Sequence, residues 1–522
     1  MVIPKGSGKY YWEVRTTEMA DNAYGRVGLA AADTDYYVAQ LGNILGQVAF
    51  RFEVGDIRQN NSQLAEGLAA SEGDILGIAY DALNSIFTVY INGVLGVSAT
   101  ISEYDYIPAF SDDYNGYSAT YDVNFGQYPF QFPPPKEYQP LNSVTMANAA
   151  SSIVATPKRY FDVAEPWTGT GGTKAITGFQ FKPDLVWIKQ TSNGVKNRVY
   201  DTIRGVDSAL ISDEIDDPDQ YAAYGQLDSF NQDGFTVASG SGDAAGTNES
   251  GETIVAWCWK GGGSGGTFNI DDKVYASAAT AGLGDGHISP TACSINTKAG
   301  FSILKWTGNQ GNAQNMAHGL GALPDFVICK NLGTNYNWFI YHSSAMTNGQ
   351  NAALYFTDAA LTTGFGTQPF GTFTTQYLNF GNNDGVNGAY DYIGYAWKNI
   401  PGLQKFGKYT GNNDADGPFI YLGFKPALVV IKRTDTANNW NVQDYRRTSY
   451  NGEGTTSLQW DTASSEATIG SGYQRDQLSN GFRIRNNGSE TNASAGTYIY
   501  MAWAEEAAYN LYGATATSRG EV

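Results

Sequence analysis

The groups with which this 522-residue chain could do chemistry are few in kind: three histidines (His287, His318, His342), three cysteines (Cys258, Cys293, Cys329) and 51 acidic side chains. The histidines are too few and too scattered for a Ser/His/Asp arrangement or a metal cluster. His318, in His-Gly-Leu-Gly, reads as a turn-bonding residue. The cysteines form no CxxC pair and leave one over, which argues for buried thiols and against a disulfide framework. A glycosidase needs two carboxyl groups about 5–9 Å apart, and spacing along the chain does not supply such a pair. The acidic run Asp213 to Asp219 reads as a solvated loop. Asn412-Asn413-Asp414-Ala415-Asp416-Gly417 alternates oxygen ligands but lacks the bidentate Glu of a calcium loop, so it reads as a turn. The glycines between Thr168 and Thr173 lack the GK[ST] end of a phosphate cradle. No catalytic residue, metal site or cofactor is therefore expected.

The elements that carry these residues follow from composition. Sixty-two Gly, 35 Tyr and 11 Trp, with only 16% charged residues, suit short strands joined by tight turns, so little helix is expected. The length predicts three to four domains. A net charge of -19 repels phosphate backbones, and no Lys/Arg cluster offsets it, which argues against nucleic acid. No apolar run approaches the roughly 20 residues that span a bilayer, so membrane insertion is not expected and synthesis in a reducing cytoplasm is.

Near the N-terminus, Tyr10, Trp12 and Val14 share one face of a strand and Tyr11 and Glu13 the other. Gly25 to Ala30, Gly73 to Asp81 and Phe87 to Gly93 follow as short strands closed by turn residues, then Tyr106-Ile107-Pro108-Ala109-Phe110 and Val123 to Gln127. This ordered set (GKYYWEV, GRVGLA, GDILGIAYD, YING) resembles the SPRY (B30.2) family over residues 1–135, which implies a two-sheet sandwich that binds through its loops. Such a sandwich beginning at Gly8 lacks an upstream strand. The edge beside Tyr10 to Val14 is then expected to be filled by a neighbouring subunit, by a linker or C-terminal segment, or by residues upstream. Pro133-Pro134-Pro135 is expected to end the domain, with a linker at 136–152.

A second pattern repeats three times. Pro183, Pro324 and Pro426 each open a strand of the form PDxVxIK. Eighteen residues later stand Asp201, His342 and Asp444. An Ala-Trp strand closes each copy, with Trp257, Trp397 and Trp503 taken as equivalent core residues 74, 73 and 77 residues from the prolines. The copies are placed at 153–262, 297–400 and 401–508, with a glycine-rich, irregular linker at 263–296 and a tail at 509–522. The expected fold is all-β: a SPRY-like sandwich followed by three homologous, independently packed β-sandwich repeats.

The repeat looks like one found in tail-fibre and other virion structural proteins of tailed bacteriophages. That resemblance implies a structural component of a virion, a tail fibre or fibre-like appendage contributing to host-surface recognition, and not an enzyme. The alternatives are an architectural capsid or tail decoration and a polysaccharide-degrading tailspike. Its partners would be other virion proteins and a host cell-surface glycan or protein, and it would be a homo-oligomer, a trimer by analogy with fibres. Loop aromatics and Arg suit recognition, which makes Tyr114, Tyr117, Tyr473 and Arg475 the receptor-binding candidates.

Overall fold

A computed structural model describes the chain except residues 1, 20–24, 33–39, 113–118, 142–153, 155, 216–224, 241–245, 448–455, 469–472 and 508–522. The described residues contain strands and no α-helix, in agreement with the aromatic and glycine-rich composition. They fall into two units, Met1–Ser152 and Ile153–Ala508.

In the first unit, two antiparallel sheets face each other. Lys9–Met19 lies between Ile75–Asp81 and Ala119–Asn124 in one sheet, while Gly25–Ala31 pairs with Gln47–Arg51 and Tyr106–Asp112 in the other. Alternation sends Tyr10, Trp12 and Val14 into the core between the sheets, against Leu29, Phe50, Ile78 and Val89. On the other face, buried Glu13 accepts the backbone N–H groups of Gln131 (2.9 Å) and Phe132 (2.8 Å). This carboxylate holds the returning segment in place of a strand ladder.

One expectation is corrected here. The triple proline does not end the unit: beyond it Gln139–Pro140 pairs in parallel with Tyr10 and Tyr11, and Leu141 is fully buried in the same core. The edge beside Tyr10 to Val14 is filled, as one of the expected alternatives had it, by this post-proline segment of the same chain, and Ala119–Asn124 pairs along the rest of it. Ile3 also bridges to Tyr106.

In the second unit each repeat builds a sheet in one order: opening strand, closing strand, PDxVxIK strand, then the strand ending eighteen residues after the proline. Those strands are Phe161–Val163, Thr253–Trp259, Leu185–Gln190 and Arg198–Asp201 in repeat 1. They are Phe301–Thr307, Asp391–Trp397, Phe326–Asn331 and Phe339–His342 in repeat 2, and Gln404–Thr410, Thr497–Ala507, Phe424–Arg433 and Asn441–Asp444 in repeat 3. A smaller sheet covers one face of each: Thr173–Thr177 with Gly234–Ala238 and Gln226–Asn231, Gln314–Ala317 with Tyr377–Phe380, and Phe419–Tyr421 with Gly481–Ile484 and Arg475–Leu478.

The other faces meet one another. A single core takes Leu185, Trp187 and Trp259 from repeat 1, Phe326, Ile328 and Trp397 from repeat 2, and Leu428, Val430 and Trp503 from repeat 3. The repeats are therefore not independently packed. Strands buried on both faces read as continuous apolar runs, and their residues alternate between the small sheet of their own repeat and the common core.

The register also corrects the tryptophan equivalence. Leu185, Phe326 and Leu428, each two residues after its proline, stand opposite Trp259, Trp397 and Trp503. Trp257 is thus the counterpart of Tyr395 and Met501. Trp259, Trp397 and Trp503 contact one another edge to face, with ring centroids 5.3–6.1 Å apart.

The glycine-rich stretch after repeat 1 is no linker either. Gly261 and Gly262 donate to Asp184 and Ser294, and a side chain at Gly262 would meet the Ile295 carbonyl at 2.3 Å. Phe268–Ile270 and Ala292–Asn296 beyond it extend the sheet of repeat 2. Because the core is shared, Trp503→Ala is expected to destabilise the unit by about 3–5 kcal/mol. Calorimetry of the whole chain should show residues 153–508 unfolding in one transition, and three separable transitions for the repeats would contradict the shared core.

Candidate functional site

The polar residues that recur at equivalent positions are spent on joining the repeats. Six residues after each proline stands a lysine that is fully buried on the common face: Lys189, Lys330 and Lys432. Each Nζ donates to the carbonyl six residues further on, of Val195, Tyr336 (2.7 Å) or Asn438. Each also crosses to a neighbouring repeat: Lys189 to Ala463 O (2.8 Å), Lys330 to Ile215 O (2.8 Å) and Lys432 to Asp358 O (2.9 Å). Burial lowers the Lys189 and Lys432 ammonium groups to about 8.

A second set of equivalent residues runs in the same direction. Asn197 Nδ2 donates to Thr462 O (3.0 Å), Trp338 Nε1 to Ile211 O (2.9 Å) and Trp440 Nε1 to Tyr355 O (2.8 Å). Repeat 1 thus binds repeat 3, repeat 2 binds repeat 1, and repeat 3 binds repeat 2, which closes a ring.

The residues eighteen after the prolines complete it. Tyr395 OH donates to Asp201 Oδ2 at 2.7 Å, and Trp257 Nε1 to Asp444 Oδ2 at 3.0 Å. Each carboxylate is also paired with an arginine three residues on, Arg204 (2.6 Å) or Arg447 (2.7 Å). In repeat 2 the acceptor is replaced by His342, and the facing position in repeat 3 is Met501, which has no donor. His342 Nδ1 accepts Ser344 N–H at 3.1 Å, which leaves Nε2–H to donate to the Tyr500 carbonyl at 3.2 Å. Ala345 stands where the arginines stand in the other repeats, so no arginine pairs with the neutral imidazole from that position. Burial lowers His342 to about 4.

Arg475 is corrected as a receptor contact: it is buried, donates to Gln443 Oε1 and to Val429 O (3.2 Å), and burial lowers it to about 9. Tyr473 is half-buried, with its carbonyl accepting Gln443 Nε2. Tyr114 and Tyr117 lie outside the described residues. Pro183, Pro324 and Pro426 are all buried, so the prolines are structural landmarks. His318 accepts Leu320 N–H at 3.0 Å, the turn role its sequence suggested. The three cysteines are free and buried. In the acidic loop, Asp213 accepts Asn197 N–H and Ile215 offers its carbonyl to Lys330, so this half is anchored and not merely solvated. Asn412 and Asp414 cap their own turn, and Asp416 pairs with Arg485. Among the described residues no group of three His, Cys, Asp or Glu could hold a metal ion.

What is left exposed and organised is a cleft of about 510 Å³ on repeat 2, whose lining includes Tyr336, Asn337, Tyr355, Phe365, Asn382 and Asp384. These residues come from separate loops, so no local motif announced them. A second cleft, about 540 Å³, lies between repeat 1 and the glycine-rich stretch. Its lysines are engaged, Lys182 with Ser264 (2.7 Å) and Lys260 with Asp272 (2.8 Å).

The fold and its bracing define a chain of β-sandwich units in which three repeats close on a common core. Residues 156–507 match the family described as a domain of unknown function, DUF7483, and the chain belongs to that family. No curated protein matches. Among solved structures, part of the chain is similar to the SPRY domain of human HERC1, at 14% identity and a TM-score of 0.22, covering 25% of this chain and 80% of that one. A further human SPRY domain is similar at 19% identity and a TM-score of 0.20, covering 24% and 82%.

Burial of His342 as the neutral imidazole gives a pH signature. Its folded-state value lies below its unfolded one, so the unfolded chain takes up the proton first as pH falls. The stabilisation is complete above about 6.5 and is lost toward 4, by about 3 kcal/mol in all. Burial raises Asp184 to about 6, which opposes this trend, so the readout is the difference between the native chain and His342→Gln in denaturant unfolding. That difference should shrink from pH 7.5 to 4.5, and a constant difference would refute the assignment. At neutral pH, His342→Asp should destabilise strongly, and adding Ala345→Arg with Met501→Tyr should recover much of the loss.

Proposed function

We propose that the chain is a non-enzymatic structural protein of a tailed-phage particle, a tail fibre or fibre-like appendage that contributes to host-surface recognition. The observation that carries this reading is where the polar chemistry goes. The lysines, aspartates and histidine repeated at equivalent positions are buried and consumed in bonds between repeats, which suits a part selected for rigidity. Loops on the rim of such a ring are free to vary, and recognition concentrates on loops held by rigid scaffolds. The virion assignment itself rests on the resemblance of the PDxVxIK and Ala-Trp repeat to phage structural proteins.

The expectation of a homotrimer came from the same resemblance. Three repeats that close on each other within one chain supply a threefold arrangement without partner subunits, so we take one chain as the working unit. Light scattering should then give the mass of a single chain, and a stable trimer would return the reading to the fibre analogy. Immunogold electron microscopy of intact particles should place the chain on the tail or an exterior appendage. Labelling confined to the capsid shell would favour the architectural decoration, and shortening of host polysaccharide by the purified chain would favour a tailspike.

A further inference from the structure

We infer that the cleft on repeat 2 is a binding site for a neutral saccharide, an inference that rests on the recognition role proposed above and names its ligand class. The first support is the way the cleft is mounted. Each of its four principal residues has its backbone carbonyl held by a side-chain donor from elsewhere. Lys330 Nζ holds Tyr336 O at 2.7 Å, Trp440 Nε1 from repeat 3 holds Tyr355 O at 2.8 Å, and Asn351 Nδ2 holds Phe365 O at 2.7 Å. Asp384 O accepts both Asn331 Nδ2 (2.8 Å) and Tyr392 OH (2.7 Å). The backbone is fixed, whereas Tyr336, Tyr355 and Phe365 are only half-buried at the edge of the core and Asp384 is exposed. A site whose supports are buried and whose contact groups are open is preorganised for a ligand.

The second support is that the other two repeats do without this cluster. The residue whose carbonyl meets the buried lysine is Val195 in repeat 1 and Asn438 in repeat 3, and only in repeat 2 is it a tyrosine. Phe339, whose ring packs edge-on against Tyr355 at 5.1 Å, corresponds to Arg198 and Asn441. An aromatic wall required for folding would recur.

The chemistry of the lining selects the ligand. Ring faces of Tyr and Phe suit the apolar C–H face of a pyranose. The amides of Asn337 and Asn382, which make no hydrogen bond within the described chain, can each donate to and accept from hydroxyls. Asp384 accepts Tyr336 OH at 3.4 Å and retains acceptor capacity for a sugar hydroxyl. That carboxylate, on a chain of net charge -19, disfavours phosphorylated or acidic sugars. Aromatic rings beside a carboxylate also suit a quaternary ammonium ion, but such a group leaves the free amides without partners and fills little of a 510 Å³ cleft.

The test is saturation-transfer NMR on the full chain with neutral hexose and N-acetylhexosamine oligosaccharides, sialylated oligosaccharides and choline. Neutral oligosaccharides should bind, and Tyr355→Ala and Asn382→Ala should each weaken binding at least about tenfold, with the melting temperature of Asn382→Ala unchanged. No binding by any neutral oligosaccharide, binding indifferent to both substitutions, or binding of choline in their place would overturn the inference. Adsorption of the chain to the bacteria its particles infect, measured in parallel, separates the two readings. Adsorption without binding of any neutral oligosaccharide sinks the saccharide cleft and leaves recognition standing. Saccharide binding without adsorption sinks the recognition role and leaves the cleft.

Discussion

The second unit depends on a buried ammonium group that crosses from each repeat to another. Placing a lysine on an otherwise apolar strand face is costly, since a desolvated cation loses its hydration. The cost is offset because Lys189, Lys330 and Lys432 each meet one carbonyl of their own repeat and at least one from a neighbour. Those carbonyls belong to loops, where no ladder would satisfy them, and a buried orphan acceptor is itself expensive. In an isolated repeat each cation keeps one carbonyl and loses the other, and the neighbouring loop carbonyl loses its donor. Ring closure is therefore built into the repeat and is not added to a finished domain.

The rest of the packing follows from that geometry. If the lysine side of the strand faces inward, so do the residues two and four positions before it, which gives Leu185 and Trp187, Phe326 and Ile328, and Leu428 and Val430. Their ladder partners Trp259, Trp397 and Trp503 are then forced together at the centre. The indole N–H groups of all three lack an oxygen or nitrogen acceptor among the described residues. The edge-to-face contacts between these rings are the interaction that remains to them, and their large apolar burial outweighs the unmet donors.

Much of this was legible in the sequence, though not its closure. Proline and PDxVxIK landmarks marked strands that the structure contains, and aromatic and glycine content marked the β class. The tryptophan register failed because Thr253–Trp259 carries tryptophan at both 257 and 259, on the same face, so that an Ala-Trp match chose the wrong one. The triple proline misled because proline bars a ladder only where a donor is needed, and Pro140 pairs at a sheet margin. The glycine run looked like a linker by composition, whereas close backbone approach is the reason for it. The cleft gave no signal, since Tyr336, Tyr355, Phe365 and Asp384 converge only after the loops are pinned.

The sequence also carries a signal of ring closure. Asp with Arg three residues later occurs in repeats 1 and 3, and His with Ala in repeat 2. The facing closing-strand residues are Tyr395, Trp257 and Met501. Where the facing residue can donate, the acceptor is an anion with its own cation. Where it cannot, the anion and its cation are both replaced, and the imidazole turns its N–H to a backbone carbonyl instead. A buried carboxylate opposite methionine would be left short of a donor, so these substitutions belong together although they lie in different repeats. Contact between the repeats is the physical reason that three copies, free to diverge at their rims, have stayed matched at their centre.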